Sequence, residues 1–394
     1  MHHTLDYPAP AAGAESVRRL RESIWSHSRW NGRAPRVSVI IPTFNRASHL
    51  PATIASVFEQ TIDIHELVLV DDGSTDGTDR VVKALAVDHP EWRGRLKYRR
   101  QDNRGKSAAL NAGLALASGD WIAFNDSDDR WLPEKLELQF TALSEYADAT
   151  ACFTDVRFAN NPAFNKTGFE MARLGRTSPF GFDECTAPLY FVGWPGIYMQ
   201  SIVVHRSAMA QVGAFDVDLR MAMDFDFGFR LGLVSPMCYV NRTLVEIDRT
   251  PDRTIGLTTE FPVDCVERLH AQRTISAKWL RATRESHPEL AARIRRRLWA
   301  DQSALANHYL LKDDRAAARS ILGRAALQNP NPRAVAKFVW SVVSPGSLKR
   351  EIVRRLERRH QSQSVALNDE RLARMQTVID HQWQQDRAEA VDPA

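Results

Sequence analysis

The sequence predicts an α/β fold: a doubly wound, mostly parallel sheet followed by an α-helical C-terminal region. Three observations carry this. Between about residues 36 and 126, short apolar runs alternate with segments of helical periodicity, the pattern of strands wound with crossover helices. The apolar runs are continuous, as in strands covered on both faces. After about residue 260 glycine thins, arginine rises and helical patterns dominate.

The elements follow in order. RVSVIIP brings together Val37, Val39, Ile40 and Ile41 before Pro42, and predicts the first strand. HLPATIASVFEQ sets Leu50, Ile54, Val57 and Phe58 at helical spacing. ELVLVDDGS is a second strand ending in acid and glycine, and TDRVVKALAVDH is helical again. RLKYRRQ predicts a third strand, KSAALNAGLALASGD a small-residue helix closed by Gly119, and WIAFNDSDD a fourth strand. The chain therefore divides into a polar lead-in over 1–35, an α/β domain over 36–260 and a helical, arginine-rich region over 261–394.

Composition sets bounds on function. The 394 residues are 44% hydrophobic with a formal net charge of +4, too mild an excess to argue for nucleic acid. No basic groove with interleaved aromatics is evident either, and no nucleic-acid partner is expected. Cys152, Cys185, Cys238 and Cys265 are widely spaced with no CxxC, which argues against a zinc site or disulfide framework and for a reducing cytosol. The start has no apolar stretch of the signal-peptide kind. The uncharged run from Cys185 to Val204 holds two prolines and two glycines. It predicts a buried or ligand-lining loop leading into a strand, since a membrane helix would be broken there.

In wound parallel sheets ligands bind beyond the carboxyl ends of the strands. Here those ends read PTFNR, DDGSTDG, QDNRGK and NDSDD, all polar. The first turn lacks GxGxxG and no P-loop is present, which excludes Rossmann dehydrogenase and Walker-type chemistry. FNDSDDRW crowds Asp126, Asp128 and Asp129 into four positions. Like charges that close resist ionising together. Either water solvates them in a turn, or a cation sits among them. Asp126 and Asp128 suit a hard divalent metal, Mn²⁺ or Mg²⁺, with phosphate oxygens completing its shell.

Taken together, RVSVIIPTFNR, HELVLVDDGSTDGT and DNRGKSAALNAGLALASGDWIAFNDSDDRWLPEKL resemble the family 2 glycosyltransferases of GT-A fold, from about Arg36 to about Arg253. The resemblance implies inverting transfer of a sugar from a nucleotide-diphosphate donor, usually UDP-linked. Pro42, Thr43 and Phe44 lie where the family's first strand tip meets the base. Asp72 matches the residue that hydrogen-bonds the base, although a turn carboxylate is the alternative there, a part that Ser74 and Asp76 can also play. Asp126 and Asp128 match the family's D-x-D, Asp128 touching the metal and Asp126 the ribose or a metal-bound water, while Asp129 braces the turn. Arg104 or Lys106 meets the donor phosphates, or either is solvated surface.

SIVVHRSAMAQVGAFDVDLRMAMDFDFGFRLG resembles the family stretch that carries the base, and Asp224 falls at its position. One carboxylate must take the acceptor hydroxyl proton as that oxygen attacks. Asp226 is the second possibility, but positions two apart on a helix face different ways. Met223 stands where the family commonly has Glu, and Arg249 and Arg253 stand near a position where many relatives have a metal-reaching His. Tyr190, Phe191, Trp194 and Tyr198 offer aromatic faces; Trp194 is expected to contact the acceptor, whereas Tyr190 and Phe191 can equally fill the core. The acceptor itself is expected to be a carbohydrate or a lipid-linked molecule, as in cell-envelope or surface polysaccharide synthesis.

For the C-terminal region three roles compete: a scaffold, a basic face on anionic membrane, or a protein-docking module. The membrane role would make the protein cytoplasmic and peripheral on the inner face. Two other functions fit an acidic nucleotide site, a nucleotidyltransferase and a non-catalytic nucleotide-sugar scaffold. The first lacks its glycine-rich basic loop, and the second has no need of a base at Asp224.

Overall fold

The computed structural model describes residues 30, 33–191, 196–250, 265–328 and 332–364, with backbone alone over 356–364. Two compact units divide after Leu290. The first holds the sheet. Strands β1 (Val37–Thr43), β2 (Glu66–Asp71), β3 (Leu96–Arg100) and β4 (Trp121–Phe124) run parallel in the order β3-β2-β1-β4. Beyond β4 the sheet becomes mixed, through β8 (Val203–His205), β6 (Ala151–Ala159), β9 (Met237–Asp248) and the short β5 (Arg130–Trp131), with β7 (Phe180–Asp183) also on β9.

The wound part follows from the sequence pattern. Every residue of β1 and β2 is buried, as their continuous apolar runs require. Val37, Val39 and Ile41 share one core with Leu50, Ile54 and Val57 of helix α1 (Leu50–Phe58). On the other face Ile40 meets helix α3 (Lys106–Leu116). A Cβ on Gly113 would stand 2.4 Å from Ile40 Cγ2, so only glycine lets that helix come this close. Helix α2 (Thr78–Asp88) completes the crossover between β2 and β3.

The second half of the unit adds helix α4 (Lys135–Glu145), the short α5 (Gly168–Ala172), α6 (Arg206–Val212) and α7 (Met223–Val234). The uncharged run from Cys185 enters strand β8, as expected, with residues 192–195 outside the description. Trp30, from the polar lead-in, is buried against Trp121 and Phe140 and donates to Ser144 Oγ at 2.7 Å. Helix α8 (Val266–Thr283) lies past the expected boundary at residue 260 but within the first unit. Trp279 stacks on Phe229 of α7 at 4.2 Å, which ties the helix there.

Helix α9 (Pro288–Leu311) runs into the second unit, which continues with α10 (Arg315–Gln328), α11 (Pro332–Val343) and α12 (Pro345–Ser364). This is the expected helical C-terminal region. Leu348 and Ile352 are buried. No helix among the described residues is long and apolar enough to cross a membrane.

Candidate active site

The four strand tips are laced into one rim. Asn45, at φ +51°, carries the chain out of β1 and accepts from Thr75 N at 2.8 Å, while its own N–H donates to Ser74 Oγ at 2.9 Å. Asp76 accepts from Ala47 N and from the N–H and hydroxyl of Thr78. Asp71, fully buried, takes Ser74 N and the Tyr98 hydroxyl. Gly73, at φ +86°, lets this turn pass the third tip, where a Cβ would meet Asn103 N at 2.9 Å.

Asp72 braces that third tip. Its carboxylate accepts from Gln101 Nε2 at 2.8 Å, Arg104 N at 2.9 Å and Gly105 N at 2.7 Å. A carboxylate offers about four acceptor sites, so roughly one remains for a ligand. Beside it Pro42 and Thr43 are buried, and Thr43 Oγ1 has no hydrogen-bond partner among the described residues. Phe44 projects at 40% exposure, an open aromatic face at the sheet's ligand edge. Arg104 is exposed and contributes its backbone N–H.

The fourth tip gathers the acids. One oxygen each from Asp126, Asp128 and Asp129 lies within 4.8 Å of the others. Gln200 Nε2 donates to both Asp126 Oδ2 (2.8 Å) and Asp129 Oδ2 (2.7 Å). Asp129 also accepts from Asp248 N at the end of β9. Burial, with Asp128 and Asp126 adding to it, pushes the Asp129 carboxyl well above the usual range. Arg46 Nε approaches Asp128 Oδ2 at 3.4 Å, and Thr53 of α1 holds the tip by donating to Ser127 O. The donor set is three hard oxygens in a half-buried pocket, so these residues fit Mn²⁺ or Mg²⁺.

Lys106 opens α3 and puts its Nζ 2.6 Å from Asp126 Oδ1. The same helix clamps the loop that leads into α7. Asn111 exchanges hydrogen bonds with the backbone of Phe215, and Ser107 donates to Leu219 O. Phe124, the last residue of β4, stands edge-on to Phe215 and Phe227. That aromatic cluster fixes α7 against the acidic tip.

Asp224 sits half-buried in the first turn of α7 and accepts from Phe225 N at 3.0 Å. Burial raises its pKa, Lys106 opposes that and Asp126 adds to it. For Lys106 burial disfavours the charge, but Asp126 and Asp224 outweigh it and the pKa rises. One ammonium thus serves both carboxylates.

Asp226 points elsewhere. It is buried, and its Oδ2 accepts from Arg230 Nε at 3.0 Å and from Lys278 Nζ of α8 at 3.1 Å. Its two-residue offset from Asp224 turns it away from the rim, as helical geometry requires. Met223, at the position of a usual Glu, is buried and packs as a hydrophobe.

Tyr190 lies in the core, its hydroxyl against Gly228 of α7. Tyr198 is half-buried, and its hydroxyl has no hydrogen-bond partner among the described residues. Arg249 lies 5.6 Å over the Phe158 ring and donates to Asp248 O. Trp194, Arg253 and the Phe191 side chain lie outside the described residues. Gln200 and Arg46 were not singled out by sequence. Arg46 lies within the polar tip PTFNR, so its placement was a signal; Gln200 carries none, since 74 residues separate it from Asp126.

Known proteins resemble this chain. Residues 38–200 match the glycosyl transferase family 2 model. A PGL/p-HBAD biosynthesis glycosyltransferase of Mycobacterium tuberculosis is 30% identical over 213 residues, 54% of this chain and 73% of that relative. An uncharacterized glycosyltransferase of Nostoc is 43% identical over 102 residues, 26% of this chain. The match spans only 31% of the Nostoc protein and 16% of a similar one from Rickettsia bellii. Among solved structures, S. aureus TarS in complex with UDP-GlcNAc superposes with TM-score 0.60 at 17% identity, over 82% of this chain and 92% of that one. At that identity the likeness is one of fold, and the fold is GT-A. With the family model covering the wound sheet and the mycobacterial relative covered over most of its length, the chain belongs to glycosyltransferase family 2.

Proposed function

We propose that the protein transfers a sugar, with inversion, from a nucleotide-diphosphate donor to an acceptor hydroxyl. The observation that carries this is the pairing of the acidic cluster with Asp224 through Lys106. UDP is the favoured nucleotide, because the TarS structure of the same fold binds UDP-GlcNAc. The acceptor is a carbohydrate or a lipid-linked one in envelope synthesis, in keeping with the mycobacterial relative's part in PGL/p-HBAD biosynthesis. Such work belongs at the cytoplasmic face of a membrane.

Each residue has a part. Phe44 stacks on the base, and the Thr43 hydroxyl and the free acceptor site of Asp72 hydrogen-bond it. Asp128 and Asp126 hold a divalent metal, with Asp129 and Gln200 fixing their orientation. Bound there, Mn²⁺ or Mg²⁺ supplies positive charge against the diphosphate that leaves. Arg104, exposed at the third tip, reaches toward the phosphates. Asp224 takes the acceptor proton on its carboxylate, and its raised pKa makes it a stronger base than a solvated aspartate. Lys106 keeps that carboxylate ionised when no proton has arrived. The acceptor contact proposed for Trp194 rests on the sequence, since that residue lies outside the described ones.

Thermal unfolding with UDP, GDP and dTDP, each with and without Mn²⁺, tests the donor site on wild type and Asp128→Ala. A ligand that binds only the folded state raises the melting temperature by mass action. UDP with Mn²⁺ is expected to stabilise the wild type and not the variant. Absence of any shift with every nucleotide would remove the donor reading.

A further inference from the structure

Helix α11 turns an uncharged apolar face outward. Val335, Val339 and Val343 are four apart, and Val342 falls beside Val335 around the helix. Ala336 and Trp340 widen the same face, and all six residues are exposed, Val343 at 76%. The inward side is already used: Ala334 and Ser341 are buried, and Phe338 packs at Gly323 of α10. A surface helix normally shows the reverse, polar outside and apolar inside.

The next helix supplies charge. Lys349, Arg350, Val353 and Arg354 lie on one face of α12 and line a shallow depression with Gly346. Lys349 also pairs with Asp313, and Arg354 with Glu351. Val353 is 38% exposed among these cations, while Leu348 and Ile352 face the core. Trp340 Nε1 donates to Ser347 Oγ at 2.6 Å, which joins the apolar face of α11 to the first turn of α12. Residues 332–364 carry eight Lys and Arg against two Glu.

We propose that α11 and α12 form a membrane-docking surface for anionic lipid, α11 lying along the headgroup boundary with its valines and Trp340 inward and the α12 cations on lipid phosphates. Apolar area buried in the acyl boundary and charge at the headgroups are the two contributions such a helix needs. A protein partner would be satisfied by the apolar face alone; the adjoining basic depression is what selects phosphate-bearing lipid. The surface gives the proposed lipid-linked acceptor a place to be met, but its lipid binding is independent of the donor chemistry.

Co-sedimentation of the full chain with vesicles tests this, using phosphatidylcholine alone and phosphatidylcholine mixed with phosphatidylglycerol. The protein should pellet with the mixed vesicles and not with phosphatidylcholine, less so as salt rises. Val339→Glu with Val343→Glu should weaken binding by about tenfold or more. Arg350→Gln with Arg354→Gln should weaken it by about fivefold per charge. Both pairs are exposed, so melting temperature and the UDP-induced shift serve as controls and should stay at wild-type values. A loss of vesicle binding thereby separates from a loss of donor binding. No pelleting with either vesicle, or equal pelleting by the valine variant, overturns the proposal. So does light scattering that finds a dimer which the valine variant dissociates, since the face would then belong to a second copy.

Discussion

Lys106 Nζ lies 2.6 Å from Asp126 Oδ1 and acts electrostatically on Asp224 as well, so one cation links the acidic tip of β4 to the first turn of α7. Asp126 and Asp224 are 98 positions apart in sequence by their numbers, and both would repel without it. Lys106→Met should therefore raise the pKa of Asp224 further. As the proposed base, Asp224 works ionised, so the acid limb of the kcat/KM profile should move to higher pH, with a fall of about 10²-fold near neutrality. A pH–rate profile of the variant checks both.

Asp224 and Asp226 should separate cleanly by substitution. Asp224→Asn removes the proposed base and should cost about 10²–10⁴-fold in kcat with little change in melting temperature. Asp226→Asn leaves Arg230 and Lys278 without their shared carboxylate and should cost stability, ~3 kcal/mol, with a smaller loss of kcat. Urea unfolding beside steady-state kinetics on the two variants distinguishes them.

Glu66 is an acid-sensitive tie between β2 and the start of β4. It accepts from Ser38 Oγ and from the N–H and hydroxyl of Ser118, and pairs with Lys97. Burial raises its pKa, but these partners outweigh it and bring it down to about 2. A depressed carboxylate stabilises the fold above its unfolded pKa, and that contribution is lost as pH falls toward about 2. Glu66→Gln should cost ~2 kcal/mol near pH 7, and the gap to wild type should narrow below about pH 4 in urea unfolding.

Lys135 has the opposite sign. It is fully buried, donates to Gln139 Oε1 at 2.9 Å and lies 3.9 Å over the Trp131 ring. Burial lowers its pKa to about 7. Below that pH the fold carries a buried charge that the unfolded chain solvates, and the cost is relieved as pH rises from about 7 toward the unfolded value. Lys135→Met should stabilise the protein by ~1–3 kcal/mol near pH 6 and by less near pH 9. Thermal unfolding across that range checks the slope.

Much of this site was legible because its determinants are local. Strand β1 is apolar at five of its seven buried positions, and the four polar tips come straight after their strands. Asp126, Asp128 and Asp129 sit within one short turn, so their clustering needed no folding to be seen. The base position rested on resemblance, and the structure puts that residue beside Lys106, one of two cations offered for the phosphates. That Gln200 joins the acidic cluster was not visible, since it reaches the cluster from 74 positions away.

The sequence by itself determined the alternation of strand and helix, the polar edge of the sheet and the carboxylates placed there. Periodicity and strand ends are set by neighbours a few residues away, so a linear reading captures them. Only the tertiary structure decided which carboxylates were already spent. Asp72 is largely engaged by the third tip, with one acceptor site left, Asp129 is taken up by β9 and Gln200, and Asp226 by Arg230 and Lys278, whereas Asp224 accepts from its own turn and feels the Lys106 charge. Whether an acid is a brace or a base depends on the partners that packing brings to it, and, Arg230 apart, those come from 29 to 119 positions away.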